Sequence, residues 1–172
     1  MSNDINHIDG LVGNAYSSVK VFNSIADNIG GKVSLPLKER LLNQINIIQS
    51  ELNELKDGVE LDNPLEILDG VCDVVVTAFG AMQMADEVYD AREGLLEVCA
   101  NNLTKYVQVT DPNARTIIDA TVAKYKAEGV EIVVHYNKTF GVYVFKDLEG
   151  KVRKPTSYKN VDLVSYLGGT NV

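Results

Sequence analysis

Five acidic residues at helical spacing are the part of this sequence best suited to carry chemistry. Glu51 and Glu54 lie three residues apart, and Glu66, Asp69 and Asp73 follow at steps of three and four. Residues at these steps project from the same side of an α-helix, so the sequence predicts two acidic faces on successive helices. Like charges at this spacing cost on the order of 0.2–0.5 kcal/mol per pair. Five carboxylates brought together therefore need a compensating cation.

Asp73 has the most unusual setting of the five, because it is the only charged residue between Val71 and Ala85. A helix that is apolar on every side is typically buried, and a carboxylate in such a helix has to be paired, protonated or bound to a metal. We therefore predict that this helix is buried and that Asp73 is a metal ligand.

The type of ligand indicates the type of metal. Carboxylate oxygens select a hard cation, so Mg²⁺ is the predicted ion and Mn²⁺ a possible substitute. A di-iron helical bundle would need Glu-x-x-His pairs, and a zinc site would need His or Cys at ligand spacing. His7 and His135 are isolated in the sequence and supply neither pattern.

Helical periodicity dominates the first three quarters of the chain. Apolar residues recur at steps of four and three from Leu41 to Leu55, which predicts an amphipathic helix, and Asn63-Pro64 is typical of a helix N-cap followed by its first residue. The predicted helices cover approximately Ile8–Ile29, Pro36–Leu55, Pro64–Val88, Ala91–Val107 and Pro112–Gly129.

The residues after Gly129 have a different character. Val130–Tyr136 and Phe140–Lys146 are rich in β-branched and aromatic residues, and a turn sequence precedes Lys151–Arg153. These features predict a small β-hairpin or a three-stranded meander. The expected fold class is therefore mainly α, with a helical domain over residues 1–129 and a β-hairpin and tail over residues 130–172 appended to the same domain.

Charge and hydropathy exclude several classes of function. The chain has 24 acidic and 16 basic residues, for a net charge of -8, which disfavours binding to a nucleic acid polymer. The N-terminus lacks the pattern of a signal peptide, and the longest apolar run is shorter than the ~20 residues that span a bilayer. We therefore expect a cytoplasmic protein without a membrane partner.

The order of the acidic residues resembles the ExxE and ExxD signature of the all-α NTP pyrophosphatase superfamily, which includes MazG and phosphoribosyl-ATP pyrophosphohydrolase. Glu51-x-x-Glu54 is similar to the first motif, and Glu66-x-x-Asp69 is similar to the second. In an alternative alignment, one turn later, Asp69 and Asp73 form the ligand pair of the second motif.

The resemblance continues downstream of the acidic residues. Asn102-Leu103-Thr104-Lys105 is similar to the family segment in which an Asn and a Lys contact the nucleotide, and the segment from Gly150 to Leu163 is similar to the ending of phage-encoded members. The resemblance implies a helical bundle of the all-α NTP pyrophosphatase type, covering most of the chain between Glu39 and Leu163.

The resemblance also implies an activity, the hydrolysis of a nucleoside triphosphate, expected to be a deoxynucleotide, to its monophosphate and pyrophosphate. Its function would be to clean or control the nucleotide pool. In this interpretation Asn102 and Lys105 bind the substrate, and acidic residues form the rest of the site. The implied magnesium ligands are Glu51, Glu54, Asp69 and Asp73, with Glu66 as an additional ligand, and the implied catalytic residues are Glu51, Glu54, Asp69 and Asp73.

Two alternatives remain open on the sequence. Phosphoribosyl-ATP is an alternative substrate within the same superfamily. In an interpretation of a different class, the acids form a solvated surface and the apolar helix is the interface of a non-catalytic, oligomeric interaction module. The abundance of apolar residues on a short helical chain predicts a homodimer or homotetramer in either case.

Overall fold

The computed structural model describes residues 2–30 and 35–168. Its elements are α1 (Ser2–Ile25), α2 (Leu37–Glu60), α3 (Pro64–Ala85), α4 (Ala91–Leu103), β1 (Val107–Gln108), α5 (Ala114–Ala127), β2 (Ile132–Asn137), β3 (Val142–Asp147) and a 3₁₀ turn at Val164–Tyr166. The mainly α fold with a small sheet is confirmed. None of the helices among the described residues is long and apolar enough to cross a membrane.

The described chain forms two compact units. The first contains the residues up to Arg92 together with Val164–Gly168, and the second is Glu93–Leu163. This division differs from the predicted boundary between residues 129 and 130. The reason is that α5 packs against β1 and β2 and so belongs with the sheet. Residues 169–172 of the predicted appendage lie outside the described part of the chain.

A short turn makes α2 and α3 antiparallel neighbours in the first unit. Asp62 adopts a left-handed conformation with φ of 49°, which Asp tolerates better than most residues. The side-chain oxygen of Asn63 then accepts a hydrogen bond from the Leu65 amide at 3.2 Å, and Pro64 takes the first helical position. The predicted cap is therefore confirmed, and it fixes the residue at which α3 begins.

Two glycines of α3 allow the two helices to approach closely. A Cβ atom added to Gly70 would lie 2.9 Å from both Cα and Cβ of Leu55, and one added to Gly80 would lie 3.0 Å from the Gln44 side chain. A side chain at position 70 would therefore require the backbone to shift, because 2.9 Å is too short for a contact between two carbon atoms. Gly70 and Gly80 therefore set both the spacing of α2 and α3 and their register.

Polar side chains hold the rest of the first unit in register. Gln44 donates a hydrogen bond to the Thr77 carbonyl at 2.9 Å, joining α2 to α3. Asn23 of α1 donates to the side-chain oxygen of Gln83 at 3.0 Å, and Gln83 donates in turn to the Tyr16 carbonyl at 3.0 Å. Because these amides are largely buried, each requires its partner, so they fix the position of α1 on α3.

An ion pair joins the ends of α2 and α3 that lie farthest from the turn. Arg40 Nη2 lies 2.5 Å from Glu87 Oε2, and the Gly30 amide donates to Glu87 Oε1 at 2.8 Å. The hydrogen bond from Arg40 is the main reason that the pKa of Glu87 lies below its ordinary value. The segment after α1 is thereby held against α2 and α3.

The second unit is α5 packed on one face of a three-stranded antiparallel sheet. Phe145 is fully buried and, with Val107 and Ala114, forms the centre of its core. Thr121 on α5 is also fully buried, and its hydroxyl accepts a hydrogen bond from the Thr156 amide at 3.0 Å. The residues that follow the sheet are therefore attached to α5 by a polar contact inside the unit.

The order of the sheet is β1-β3-β2, which differs in one strand from the predicted meander. The predicted hairpin is confirmed as β2 and β3, with His135 opposite Val144. The third strand is β1, where the end of a helix was predicted, whereas Lys151–Arg153 contributes only an isolated bridge from Val152 to Lys146. Helix α5 begins at Ala114 rather than at Pro112, because Asp111 closes a turn by accepting from the Asn113 amide.

Asp147 is a buried carboxylate at the end of β3. It accepts hydrogen bonds from the Lys151 amide at 2.8 Å, the Glu149 amide at 3.1 Å and Arg153 Nε at 2.8 Å. Burial alone would raise the pKa of Asp147, but these amides and the Arg153 guanidinium together lower it below the ordinary value of 3.8. Asp147 thus fixes the turn that follows the hairpin.

Gly70→Ala tests the close approach of α2 and α3. Alanine favours a helix over glycine by roughly 0.5–1 kcal/mol, but overpacking against Leu55 costs about 1–3 kcal/mol, so we expect a lower free energy of unfolding in urea. Gly13→Ala in α1 is the matched control, since its added Cβ meets nothing within 4 Å, and it should stabilise. Equal changes in the two variants would contradict a tight contact at Gly70.

Asp147→Asn tests the buried carboxylate. Because the pKa of Asp147 is lowered in the folded protein, its contribution is present above its unfolded pKa and is lost as the pH falls through its folded pKa. We expect a lower Tm for the variant at neutral pH and a difference from wild type that shrinks below about pH 4. Asp119→Asn removes only an exposed ion pair with Arg115 and should change Tm little at any pH.

Candidate functional site

The packing of α2 on α3 brings four of the five predicted acids together. On α2, Glu51 and Glu54 lie between the two points of closest approach, near Gln44 and Leu55. On α3, Asp69 is next to Gly70, and Asp73 follows it by one turn. In antiparallel helices with this register, Glu51 comes opposite Asp73 and Glu54 opposite Asp69. We refer to Glu51, Glu54, Asp69 and Asp73 as the acidic cluster.

The pKa of Glu51 carries the electrostatic signature of the acidic cluster. Partial burial of the carboxyl group raises this pKa most, and the negative charges of Glu54, Asp73 and Asp69 raise it further. Removal from water and like charges both disfavour the ionised form. The cluster therefore has the excess negative charge that a bound cation would relieve.

Glu66 stands apart from the acidic cluster. Its Cβ would lie 2.9 Å from a Cβ added to Gly58, which places it near the turn, about one helical turn beyond Glu54. It is not among the charges that raise the pKa of Glu51. On α3, the acidic cluster therefore contains Asp69 and Asp73 but not Glu66.

The predicted burial of the apolar helix is not found in the single chain. Asp73 is only partly buried, and one side of α3 carries large apolar residues that are exposed to solvent, among them Leu65 at 72% and Leu68 at 64%. Complete burial of the helix was the premise for assigning Asp73 as a ligand. Asp73 is a candidate ligand in the structure because it belongs to the acidic cluster.

The chemical type of the acidic side chains favours a metal ion, but their arrangement in the described part of the chain does not form a metal site. Four carboxylates suit magnesium or manganese in ligand type and in charge. Within residues 2–30 and 35–168, however, no group of three or more His, Cys, Asp or Glu side chains is arranged to hold a metal ion. The acids are neighbours, but their oxygens do not converge on a common point in the single chain. Magnesium therefore stays a prediction.

Asn102 and Lys105, the predicted substrate-binding pair, lie in the second unit. Asn102 is in the last turn of α4, and Lys105 follows that helix. Lys105 Nζ donates a hydrogen bond to Asn102 Oδ1 at 2.7 Å, so their spacing of three residues produces a direct contact. The contact orients an ammonium group and an amide together at the end of the helix.

The residues that position the acidic cluster were not predicted from the sequence. Gly70 and Gly80 allow the helices to touch, and Gln44 joins them by its hydrogen bond to Thr77. Gly70 and Gly80, ten positions apart in a strongly apolar helix, could have indicated a close helix contact. Glycine destabilises a helix interior, so its presence there often marks a position where another backbone or side chain approaches closely.

Comparison with known proteins identified no relative of this chain. No protein-family model, no curated protein and no solved structure matches the chain. The family resemblance of the acidic motifs therefore rests on the residues themselves.

The raised pKa of Glu51 generates a direct test of the acidic cluster. Asp73→Asn removes one of the negative charges that act on Glu51, so the pKa of Glu51 should fall toward its ordinary value in an NMR titration of ¹³C-labelled carboxyl groups. Glu66→Gln removes the same charge from α3 about two turns before Asp73 and should leave the Glu51 titration unchanged. A larger shift in the Glu66 variant would refute the grouping.

Proposed function

We propose that the protein hydrolyses a nucleoside triphosphate, with a deoxynucleotide as the expected substrate, to its monophosphate and pyrophosphate. The observation that carries this proposal is the acidic cluster, formed by Glu51 and Glu54 of α2 with Asp69 and Asp73 of α3. A triphosphate cannot approach four carboxylates without a cation between them, so the proposal includes magnesium, with manganese as a substitute. Residues of the cluster would hold the ion.

Bound magnesium would neutralise negative charge on the triphosphate and polarise the phosphoryl group that is attacked. In the reaction, a water oxygen forms a bond to the α-phosphorus, and the bond from that phosphorus to the bridging oxygen of the β-phosphate breaks. The electron pair leaves with pyrophosphate. The proton of the attacking water passes to a carboxylate of the protein.

Glu51 is the carboxylate that we propose as the proton acceptor. Its side chain is partly buried, while those of Glu54 and Asp69 are exposed, and its pKa is raised by that burial and by the neighbouring acids. A carboxylate with a higher pKa is the better base, provided that it is ionised at the working pH. Glu54, Asp69 and Asp73 then serve as the principal ligands of the cation.

Asn102 and Lys105 are proposed to bind the substrate. Lysine supplies a positive charge for a phosphate, and the asparagine amide can donate to a phosphate or a sugar oxygen. The contact between Lys105 Nζ and Asn102 Oδ1 supports a common role, because it holds the two groups ready for the same ligand. In this proposal, loss of either side chain raises KM more than it lowers kcat.

The exposed apolar side of α3 supports a proposal about assembly. Leu65, Leu68, Val71 and Val75 are each more than two-fifths exposed on consecutive turns, a continuous apolar surface of the kind that marks a protein interface. We propose a homodimer or homotetramer that acts in the cytoplasm. This surface also favours the second candidate function, a non-catalytic interaction module in which the acids are only a solvated surface.

Release of pyrophosphate from a panel of substrates is the first test of the enzymatic proposal. The panel contains common and modified ribonucleoside and deoxynucleoside triphosphates with magnesium, and phosphoribosyl-ATP as the alternative substrate. We expect wild-type protein to hydrolyse a small subset. Glu51→Gln and Asp73→Asn should lower kcat at least about 100-fold, in the range typical of a lost general base or metal ligand.

Glu66→Gln is the matched control for this assay, since it removes an acid on α3 outside the acidic cluster and should retain activity within several-fold. Circular dichroism establishes that each variant is folded. No pyrophosphate from any substrate with folded wild-type protein would reject the enzyme in favour of the interaction module. In that case magnesium should also fail to raise Tm, because a ligand raises Tm only when it binds the folded state.

A further inference from the structure

A groove on the second unit lies on the sheet face opposite α5. Residues alternate across a strand, so Phe145 and Tyr143 pack toward α5, while Val142, Val144 and Lys146 face the other way. The groove on this side has a volume of about 600 Å³, within the range of small-molecule sites. We refer to it as the sheet groove.

The apolar surface of the sheet groove suits a flat ring. Its floor includes Val142 and Val144, both buried, and Val152 lies beside them. Two aromatic side chains also line it. Tyr106 is partly buried, whereas Phe140 is 74% exposed. A planar ligand could stack on this exposed phenyl ring and bury its own apolar surface against the apolar floor.

The charge of the sheet groove is opposite to that of the chain. Lys146 and His135 line it, and none of the described residues that line it is Asp or Glu, although the chain carries a net charge of -8. Within the described part of the chain, neither Lys146 Nζ nor the His135 ring has a side-chain hydrogen bond or an ion pair. The groove therefore presents an uncompensated cation to an anionic group.

Two amide side chains complete the polar lining. Asn137 Oδ1 accepts hydrogen bonds from the Thr139 and Phe140 amides at 3.1 and 3.3 Å, which fixes the side chain and leaves its NH₂ group as a donor. Gln108 on β1 provides a further donor and acceptor. Amides that flank an aromatic surface can hydrogen-bond to the edge of a heterocycle.

We propose that the sheet groove binds a nucleotide, meaning a planar heterocycle joined to a phosphate. The ring packs against Phe140 and Tyr106, Gln108 and Asn137 contact its edge, and Lys146 pairs with the phosphate. This is a second ligand site, built wholly from the unit Glu93–Leu163, and it does not rest on hydrolysis at the acidic cluster.

A tryptophan reporter tests the site directly, because the chain contains no tryptophan. Phe140→Trp places a single tryptophan at the groove, which is excited selectively over the tyrosines, and adenosine 5′-monophosphate is the probe. We expect a saturable change in fluorescence, with weaker binding of adenosine and of ribose 5-phosphate, each of which offers only half of the contacts. Lys146→Met in the same background should weaken binding of the probe about tenfold or more, the usual effect of losing a charge-assisted hydrogen bond.

Two variants in the reporter background separate this site from other sources of binding. Lys126→Met removes an exposed lysine from α5, on the other side of the sheet, and should not alter affinity. Asp73→Asn should also leave it unchanged, which distinguishes the sheet groove from a product complex at the acidic cluster. Calorimetry with wild type and Phe140→Ala repeats the measurement without tryptophan, and the alanine variant should bind about tenfold more weakly.

The proposal is overturned by the absence of binding at millimolar probe in both measurements. It is also overturned if Lys126→Met weakens binding as much as Lys146→Met, since the effect would then be one of net charge. Loss of binding in Asp73→Asn with normal binding in Lys146→Met would place the nucleotide at the acidic cluster instead. Failure of the pyrophosphate assay has no bearing on these outcomes.

Discussion

The close contact between α2 and α3 is the constraint on which the first unit depends. Gly70 faces the backbone of Leu55 and Gly80 faces the Gln44 side chain, so the helices lie nearer to each other than two rows of larger side chains would permit. Glycine costs helix stability, and that cost is offset by the packing and by the hydrogen bond from Gln44 to Thr77. The same contact determines which acids become neighbours.

The acidic cluster is an electrostatic consequence of this packing. The packing fixes the backbone positions of Glu51 and Glu54 relative to Asp69 and Asp73, so the folded state keeps these negative charges near one another and the pKa of Glu51 is raised. Contacts elsewhere hold the unit together against it, including the Arg40–Glu87 ion pair and the buried amides of Asn23 and Gln83. A cation would convert this repulsion into binding energy, which is the physical basis of the proposed activity.

The second unit is built on one sheet whose two faces differ in their chemistry. Phe145 points into the core beneath α5, and the alternation of the strand turns Val144 and Lys146 toward the open side. Asp147 and Arg153 then fix the turn after β3, so the chain returns alongside β3 at Val152. A stable core on one face thereby leaves the other face available to a ligand.

The sequence by itself determined the order of the five described helices and the β2–β3 hairpin, because these depend on local periodicity and local caps, although α1 ends earlier and α2 later than predicted. Asn63 and Pro64 mark the start of α3 in sequence and structure alike. Only the tertiary structure decided that Glu66 lies outside the acidic cluster, that α5 belongs with the sheet, and that Val107–Gln108 forms a strand rather than the end of α4. It also exposed one side of α3, against the expectation of a buried helix. These features depend on which surfaces meet across long separations in sequence, and periodicity along one helix or strand carries no information about its partner.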